Sequence, residues 1–274
     1  GGVVPELASR AHLEILQQIT KEALRESGIK LNEINLFSAT CGPGLIGGLL
    51  IGSTFVKSLS IGNSKPFIPI NHLEAHVLST FYNNKISFPH LSLLITGGHT
   101  EIYLLNNINE INLLGETVDD AAGEAFDKVA KILGLNYPGG KEIETRAIRG
   151  NEKKFNLPKP MVDKNNFNFS FSGLKTSVNI ITKKNQLNDT FINNMAASFQ
   201  KTISDIICFK VEKIIKKLIK NNVKISSLSV VGGVANNEKI KTELYNELQK
   251  YGVSLFQPPK DMLSDNAAMI AWAC

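Results

Sequence analysis

The chain has 274 residues, of which 43% are hydrophobic, and it carries a formal net charge of +5. This length suffices for one large domain or two lobes with their own cores, and no stretch approaches the ~18 consecutive apolar residues of a membrane helix. Three widely spaced cysteines argue against a disulfide framework and against a thiolate zinc site. The charge is compatible with a nucleic-acid partner, but the lysines of 210–220 alternate with apolar residues as on a solvated helix face.

The first third of the chain predicts alternating helices and strands. Residues 9–28 have apolar spacing near 3.6 and predict an amphipathic helix, which Gly28 ends. A strand is expected at 34–40. Residues 41–62 read as a glycine turn followed by a helix rich in small residues, and 67–72 as a short strand that runs into a helix bearing two histidines.

A second series of elements begins near residue 91. We expect a strand at 91–96, a tight turn at 97–100, a returning strand at 101–105 and a third strand at 111–117. Residues 119–135 predict a strong helix, opened by carboxylates as the helix dipole favours.

The remainder alternates between irregular and regular segments. Residues 136–190, rich in Pro, Gly, Asn and Phe, are expected to be irregular, and 190–221 to form a long helix. A strand at 226–233, a helix at 234–252 and a strand at 253–258 follow. The recurrence of strands that lead into glycine turns predicts a two-lobed α/β protein with a cleft.

Two histidines mark the segment NHLEAHVLST (71–80). On a helix, His72 and His76 lie on one face, with Cβ atoms roughly 5–6 Å apart, and can share one metal ion. The metalloprotease motif H-E-x-x-H places its general base directly after the first histidine, whereas this chain has Leu73 there. Glu74 should point away from such a metal. The alternative that the histidines cap or pack a helix stays open at this point.

A carboxylate near the end of the chain, Asp265 in SDNAAMIA (264–271), stands at a predicted helix start. It is either the N-cap of that helix or a metal ligand. Two histidines and one carboxylate leave open coordination positions, as in a catalytic metal site.

Glycine-rich turns follow three predicted strands, and a fourth follows a helix. Exposed N–H groups in such turns bind phosphate oxygens, and their recurrence in an α/β pattern favours a nucleotide site. None of them matches the P-loop or G-x-G-x-x-G motif. The turns are CGPG (41–44), TGGHT (96–100), YPGG (137–140) and GGVANN (232–237).

The helix predicted at 119–135 carries an acidic stripe, formed by Asp120, Glu124 and Asp127. A solvated face would explain the stripe. However, its neighbours are alanines and a phenylalanine, which suggests close packing with acids presented to a cleft. Recognition of hydroxyl groups, such as those of a ribose, suits these acids.

Eight motifs together resemble the TsaD family of tRNA N6-adenosine threonylcarbamoyltransferases, the bacterial counterparts of the catalytic subunit of KEOPS. The resemblance covers essentially the whole chain, and the block 115–140 is highly specific. The motifs, in order, are GGVVPELASRAH, GPGLIGGLLIG, NHLEAH, TGGHTEIY, GETVDDAAGEAFDKVAKILGLNYPGG, FSFSGLKTS, GGVANN and SDNAAMIA.

This resemblance implies the α/β fold of the actin, Hsp70 and sugar-kinase class, with two lobes and a central cleft. We expect an N-terminal lobe at 1–90 and a C-terminal lobe at 91–274, the latter with the irregular insertion at about 136–190. The implied activity is transfer of a threonylcarbamoyl group from threonylcarbamoyl-adenylate to N6 of the adenosine next to the anticodon, in tRNAs that read codons beginning with A.

The resemblance also assigns residues. It implies that His72, His76 and Asp265 bind one divalent metal, Fe²⁺ or alternatively Zn²⁺. His99 and Glu124 are candidates for a general base, and Lys175 for a contact to tRNA or substrate. The substrate-binding residues would be Leu94, Ile95, Thr96, Gly97, Gly98, Asp127, Gly140 and Asn237.

The implied partners are tRNA, a paralogous TsaB-like subunit and a small TsaE-like ATPase, in the cytoplasm and without a membrane. Thr96 and Ala75 stand where serine and glycine are common in the family. The family's first strands and a C-terminal helix are missing, so we expect a truncated fragment that is inactive by itself. A metalloendopeptidase and a small-molecule kinase of the same fold class are the alternative functions.

Overall fold

The structure, a computed structural model, describes residues 4–274; Gly1, Gly2 and Val3, which open the first family-like motif, lie outside the described residues. The chain forms two compact units. One comprises the residues up to Ser79 together with Asn266–Cys274, and the other comprises Thr80–Asp265. These bounds differ from the expected 1–90 and 91–274, because residues 80–90 group with the second unit and the last segment returns to the first.

The first unit opens with a long helix, α1 (Pro5–Ser27). Proline at its first position has the fixed φ that a helix start requires, which explains why the helix begins earlier than predicted. Gly28 ends it in the left-handed conformation, with φ 69°, as its sequence position indicated.

Two parallel strands and two helices follow. β1 (Phe37–Gly42) pairs with β2 (Phe67–Asn71), with Phe37 opposite Phe67, and α2 (Ile46–Gly62) connects them. α3 (His72–Ser79) follows β2 with no intervening loop. The strand-to-helix junction predicted before the histidines is therefore confirmed.

The second unit is built on a five-stranded mixed sheet in the order β5-β4-β3-β6-β7. β3 lies at the centre, antiparallel to β4 and parallel to β6, and its side chains Leu91, Leu93 and Ile95 are fully buried. The strands are β3 (His90–Ile95), β4 (Thr100–Asn107), β5 (Glu110–Glu116), β6 (Ser227–Val231) and β7 (Ser254–Phe256).

Helices cover this sheet and supply most of the core. The expectation that 136–190 is irregular is wrong, because two helices, α5 and α6, lie within it. Pro138 is the N-cap of α5, and Gly139 begins that helix, so residues that read as turn formers mark a helix start instead. The helices are α4 (Ala122–Ile132), α5 (Gly139–Ala147), α6 (Ser172–Lys183), α7 (Asp189–Lys220) and α8 (Glu238–Gln249).

The last helix, α9 (Ala267–Trp272), belongs to the first unit and packs against α3. The indole N–H of Trp272 donates to the carbonyl oxygen of Leu78 at 3.0 Å. This contact fixes the end of the described chain beside the helix that bears the histidines. None of the helices in residues 4–274 is long and apolar enough to cross a membrane.

A buried polar network joins β3 to β6. The ring nitrogens of His90 lie 2.7 Å from Ser227 Oγ and 2.9 Å from Ser229 Oγ, and Ser229 Oγ donates to Ser92 Oγ at 3.0 Å. Burial lowers the pKa of His90 to about 4, outweighing the opposing effect of its hydrogen bond to the Ser227 backbone. The imidazole is therefore neutral at physiological pH.

Candidate functional site

Helix α3 places two imidazoles side by side. The Asn71 side-chain oxygen accepts hydrogen bonds from the backbone N–H groups of Leu73, at 2.9 Å, and Glu74, at 3.3 Å, and so caps the helix. The helix therefore begins at His72, and His76 follows one turn later. The two ring centroids are 4.8 Å apart, and the His76 side chain is fully buried.

Asp265 directly precedes the cap of α9. The N-cap is Asn266, whose side-chain oxygen accepts a hydrogen bond from the N–H of Met269 at 2.8 Å. Of the two roles that the sequence left open for Asp265, capping thus falls to its neighbour. The Asp265 carboxylate is exposed.

His72, His76 and Asp265 form a group in which one ligand atom from each lies within 4.8 Å of the others. Two imidazole nitrogens and one carboxylate oxygen are suitable ligands for a divalent transition metal and leave further coordination positions open. Glu74 is exposed and is not a member of this group. The structure thus brings together the three residues that the sequence suggested as ligands.

The turn after β3 is held by Thr96. Its hydroxyl oxygen accepts hydrogen bonds from the N–H groups of Gly98, at 3.2 Å, and His99, at 2.9 Å. Leu94 and Ile95 are buried strand residues, whereas Gly97 and Gly98 are exposed. Within the predicted Leu94–Gly98 segment, Gly97 and Gly98 are therefore the residues exposed to a ligand.

Helix α4 begins against this turn. The N–H of Ala122 donates to the hydroxyl of Thr100 at 2.9 Å. A Cβ at Gly123 would lie 2.6 Å from the Thr96 carbonyl oxygen and 2.9 Å from Gly97 Cα. Glycine is required here because the helix start and the turn are in direct contact.

Asp127, on the same helix, is bound at one oxygen. Its Oδ1 accepts a hydrogen bond from the N–H of Gly139 at 2.8 Å, which caps the start of α5. Gly140, the next residue, has open space where a Cβ would stand. Two of the predicted substrate contacts therefore adjoin one helix start.

Asn237 caps α8. Its Oδ1 accepts from the N–H of Ile240 at 3.1 Å, and its Nδ2 donates to Gln200 Oε1 at 2.9 Å. The side chain is buried, with 6% exposure. A contact from this side chain to a substrate would use the second hydrogen of Nδ2 or the second lone pair of Oδ1.

The two candidate bases lie in different surroundings. Glu124 forms an ion pair with Lys128 at 2.9 Å, and Lys128 also binds Asp120 at 2.6 Å. The side-chain hydrogen bonds to Asp120 and Glu124 raise the pKa of Lys128. His99 lies partly exposed at the end of the Thr96 turn. The predicted acidic stripe is thus in part an ion-pair network.

One polar cluster was not found from the sequence. Asp119 accepts hydrogen bonds from the start of α6, within the motif FSFSGLKTS. Burial of this carboxylate opposes ionisation, but the hydrogen bonds from Ser170, Phe171 and Ser172 outweigh it and lower its pKa. The signal available in the sequence was the pair of serines, which flank Phe171.

The fold class follows from solved structures. HypF of T. kodakarensis matches 95% of this chain with a TM-score of 0.68 at 13% identity, and the chain spans 43% of that protein. The (R)-2-hydroxyglutaryl-CoA dehydratase component A of Acidaminococcus fermentans matches 93% of this chain, which covers 79% of that protein, with a TM-score of 0.52 at 15% identity. The chain has the α/β fold of the actin, Hsp70 and sugar-kinase class.

The sequence comparisons then identify the family. The family model for TsaD, tRNA N6-adenosine threonylcarbamoyltransferase, matches residues 1–272. A relative with that name from Rickettsia canadensis is 48% identical over 276 residues, which span all of this chain and 81% of the relative. The chain belongs to the TsaD family, whose members are acyltransferases that modify tRNA.

Proposed function

We propose that this protein transfers a threonylcarbamoyl group from threonylcarbamoyl-adenylate to N6 of the adenosine next to the anticodon, in tRNAs that read codons beginning with A. The observation that carries the proposal is the family match over residues 1–272. The group of His72, His76 and Asp265 supports it.

The reaction requires positioning more than activation. The donor is a mixed carbamoyl–phosphate anhydride, and the exocyclic adenine amine is a weak nucleophile. N6 attacks the carbamoyl carbon, the C–O bond to the phosphate breaks, AMP leaves with the bond electrons, and N6 loses one proton. The protein therefore has to hold the two substrates together and stabilise the charge on the departing phosphate.

His72, His76 and Asp265 would hold a divalent metal, for which we propose Fe²⁺, with Zn²⁺ as the alternative. Such an ion, when bound, supplies a Lewis acid that stabilises negative charge on oxygen and orients the groups bound to it. The donor set fits this ion, because two imidazole nitrogens and one carboxylate leave positions for an oxygen ligand.

The turn after β3 is suited to bind the donor phosphate. The N–H of Gly98 is engaged by Thr96, so the exposed Gly97 is the glycine whose N–H group would meet a phosphate oxygen. Asp127 would bind a ribose hydroxyl with Oδ2, because Oδ1 is held by Gly139. Gly140 would let the adenylate approach the start of α5 closely, since there is open space where a Cβ would stand.

His99 and Glu124 remain the two candidates for accepting the proton of N6. Glu124 is already held in an ion pair with Lys128 at 2.9 Å, so its carboxylate is engaged by a neighbour on its own helix. His99 lies directly beside the proposed phosphate site. This position favours His99 as the base.

We propose a cytoplasmic protein that acts on tRNA together with a TsaB-like paralogue and a small TsaE-like ATPase, as the family resemblance implies. The peptidase alternative needs a glutamate beside the metal group, whereas Glu74 is exposed and stands outside that group. The structural likeness to HypF and to the dehydratase component reflects the fold alone and gives no support to a kinase.

The test uses the full-length enzyme with its partner subunits, threonylcarbamoyl-adenylate and unmodified tRNA. Digested tRNA is examined for threonylcarbamoyladenosine by mass spectrometry, for the wild type, His72→Ala and Glu74→Gln. We expect product from the wild type and Glu74→Gln, and none above background from His72→Ala. Absence of product from the folded wild-type complex would refute the proposed transfer, and loss of activity in Glu74→Gln would contradict the placement of Glu74 outside the reacting site.

A further inference from the structure

Gln200, on α7, has no role in the site described so far, although its side chain is bound to Asn237. Gln200 Oε1 accepts a hydrogen bond from Asn237 Nδ2 at 2.9 Å. Both residues are buried, with exposures of 7% and 6%. A buried amide that loses its partner has little water to bind instead, so this bond holds the two side chains in one arrangement.

The orientation of this amide pair, Asn237 and Gln200, follows from the backbone of α8. Asn237 Oδ1 accepts from the N–H of Ile240 at 3.1 Å, and a backbone N–H can only donate. Nδ2 therefore faces Gln200, which has to present its oxygen. One hydrogen of Asn237 Nδ2 is used in this bond, and the other stays available for a ligand.

The amide pair is open to the outside at one atom. Gln200 Nε2 has no hydrogen-bond partner among residues 4–274, yet it is not one of the buried polar atoms that lack a partner. This nitrogen therefore reaches solvent, although the rest of the side chain is covered. A nearly buried amide with an unused donor at an accessible point is suited to meet a ligand.

The amide pair also lies close to the two residues proposed to bind the adenylate. The N–H of Glu238, the first residue of α8, donates to Glu144 Oε1 on α5 at 2.7 Å, and α7 packs against both helices. Asp127 and Gly140 adjoin the start of α5. A carboxylate such as Asp127 can only accept hydrogen bonds, whereas the amide pair supplies donors for acceptor atoms of the adenylate, such as N7 of adenine.

We propose that Gln200 is a positioning residue of the donor site and acts through Asn237. Its Oε1 holds the Asn237 amide so that the free N–H of Nδ2 donates to an acceptor atom of the adenylate moiety. The inference rests on the proposed function, because that function supplies the adenylate.

The experiment measures KM for threonylcarbamoyl-adenylate and for tRNA in the transfer assay, with the full-length enzyme and its partners. Gln200→Leu removes the acceptor at similar size and should raise KM for the donor by about 5- to 30-fold, with KM for tRNA unchanged. Gln200→Glu keeps an oxygen for Asn237 and should stay within about 3-fold of the wild type. A lower stability alone would not give this pattern, because KM does not depend on the fraction of enzyme that is folded.

A second measurement does not depend on turnover. AMP, the leaving group of the proposed reaction, is titrated into the full-length chain in an isothermal calorimeter. We expect the Kd for AMP to rise in Gln200→Leu by the same factor as KM for the donor, and to return close to the wild-type value in Gln200→Glu.

Two further variants separate positioning from a general effect on α7. Asn237→Ser keeps an oxygen that caps α8 but lacks Nδ2, so adding Gln200→Leu to it should change Kd and KM by less than about 2-fold. Thr202→Val is the matched control, because Thr202 is a buried residue of the same helix whose hydroxyl donates to the Ser198 carbonyl oxygen at 2.8 Å. It should leave Kd and both KM values unchanged.

Three results would overturn the inference: wild-type KM for the donor and wild-type AMP affinity in Gln200→Leu, equal losses in Gln200→Glu and Gln200→Leu, or effects that multiply in the double variant. A wild-type complex that forms no product would instead refute the proposed function. The AMP titration would still test Gln200 in that case, so the two failures are distinguishable.

Discussion

Gly232, at the end of β6, lies so close to β3 that a Cβ at this position would stand 2.5 Å from the Ile95 carbonyl oxygen. The backbone of Gly232 also has φ +93°, a conformation that residues with a side chain rarely adopt. The glycine turn after β6 is thus packed directly onto the strand end that leads into the Thr96 turn.

Gly232→Ala should destabilise the protein by about 2–5 kcal/mol, because backbone strain and overlap with β3 add together. The measurement is the free energy of unfolding in urea. Gly233→Ala is the matched control, since nothing lies within 4 Å of its added Cβ, and we expect a change within about 0.5 kcal/mol. Equal effects of the two substitutions would contradict this explanation.

Gly139 and Gly140 are adjacent but should respond differently. A Cβ at Gly139 would lie 2.7 Å from both Ala130 Cβ and Asp127 Cα, so Gly139→Ala should cost about 1–3 kcal/mol of stability. Gly140→Ala should keep stability and instead raise KM for the adenylate, because its Cβ would occupy open space proposed for the substrate. Urea unfolding and steady-state kinetics on both variants test this, and an unchanged KM in Gly140→Ala would remove Gly140 from the site.

Stability should fall on mild acidification because of His90. Its pKa is about 4 in the folded protein and about 6.5 when unfolded, so the unfolded chain binds the extra proton between these values. The contribution is fully present above pH 6.5 and is lost as the pH falls to 4, by about 3 kcal/mol in total. The measurement is the free energy of unfolding from pH 7 to pH 4.

His90→Gln serves as the control for this titration. It should lower stability at pH 7, since the hydrogen bonds to Ser227 and Ser229 are disturbed, but the dependence between pH 6.5 and 4 should flatten. Buried or paired carboxylates with a lowered pKa, such as Asp205, contribute mainly at more acidic pH. An equally steep curve in the variant would show that His90 is not the group responsible.

Metal content should depend on the group formed by His72, His76 and Asp265. We expect about one divalent ion per wild-type chain and less than one tenth of that for His76→Ala, since two ligands hold an ion far more weakly than three. Inductively coupled plasma mass spectrometry after anaerobic loading with Fe²⁺ or Zn²⁺ gives the stoichiometry. His12→Ala, on the exposed face of α1, is the control and should bind metal like the wild type. Full metal content in His76→Ala would rule out this site.

Local patterns predicted much of the fold. Four elements could be predicted from the apolar spacing and the helix- or turn-ending residues within one segment. They are the helix that Gly28 ends, the histidine helix after β2, the β3–β4 hairpin and the long α7. The proximity of His72 and His76 could also be predicted, because residues four positions apart lie on one face of a helix.

Features that depend on distant contacts could not be predicted. α6 begins where a carboxylate more than fifty positions earlier in the chain binds its first N–H groups, so the two serines that flank Phe171 do not by themselves place the helix start. The α9 cap is a local choice between two adjacent residues, Asp265 and Asn266, which can both cap a helix, and only the structure shows that Asn266 is the cap. The bond from Gly139 to Asp127 likewise depends on the packing of two helices.

The sequence separation of 52 residues between Asp119 and Phe171 also affects the order of folding. Closing a loop of this length costs more conformational entropy than forming the local β4–β5 hairpin, so the hairpin should be complete first. The start of α6 would then become protected only after the end of β5 is in place. In pulse-labelling during refolding, the amides of Ser172–Lys183 should therefore gain protection later than those of β4.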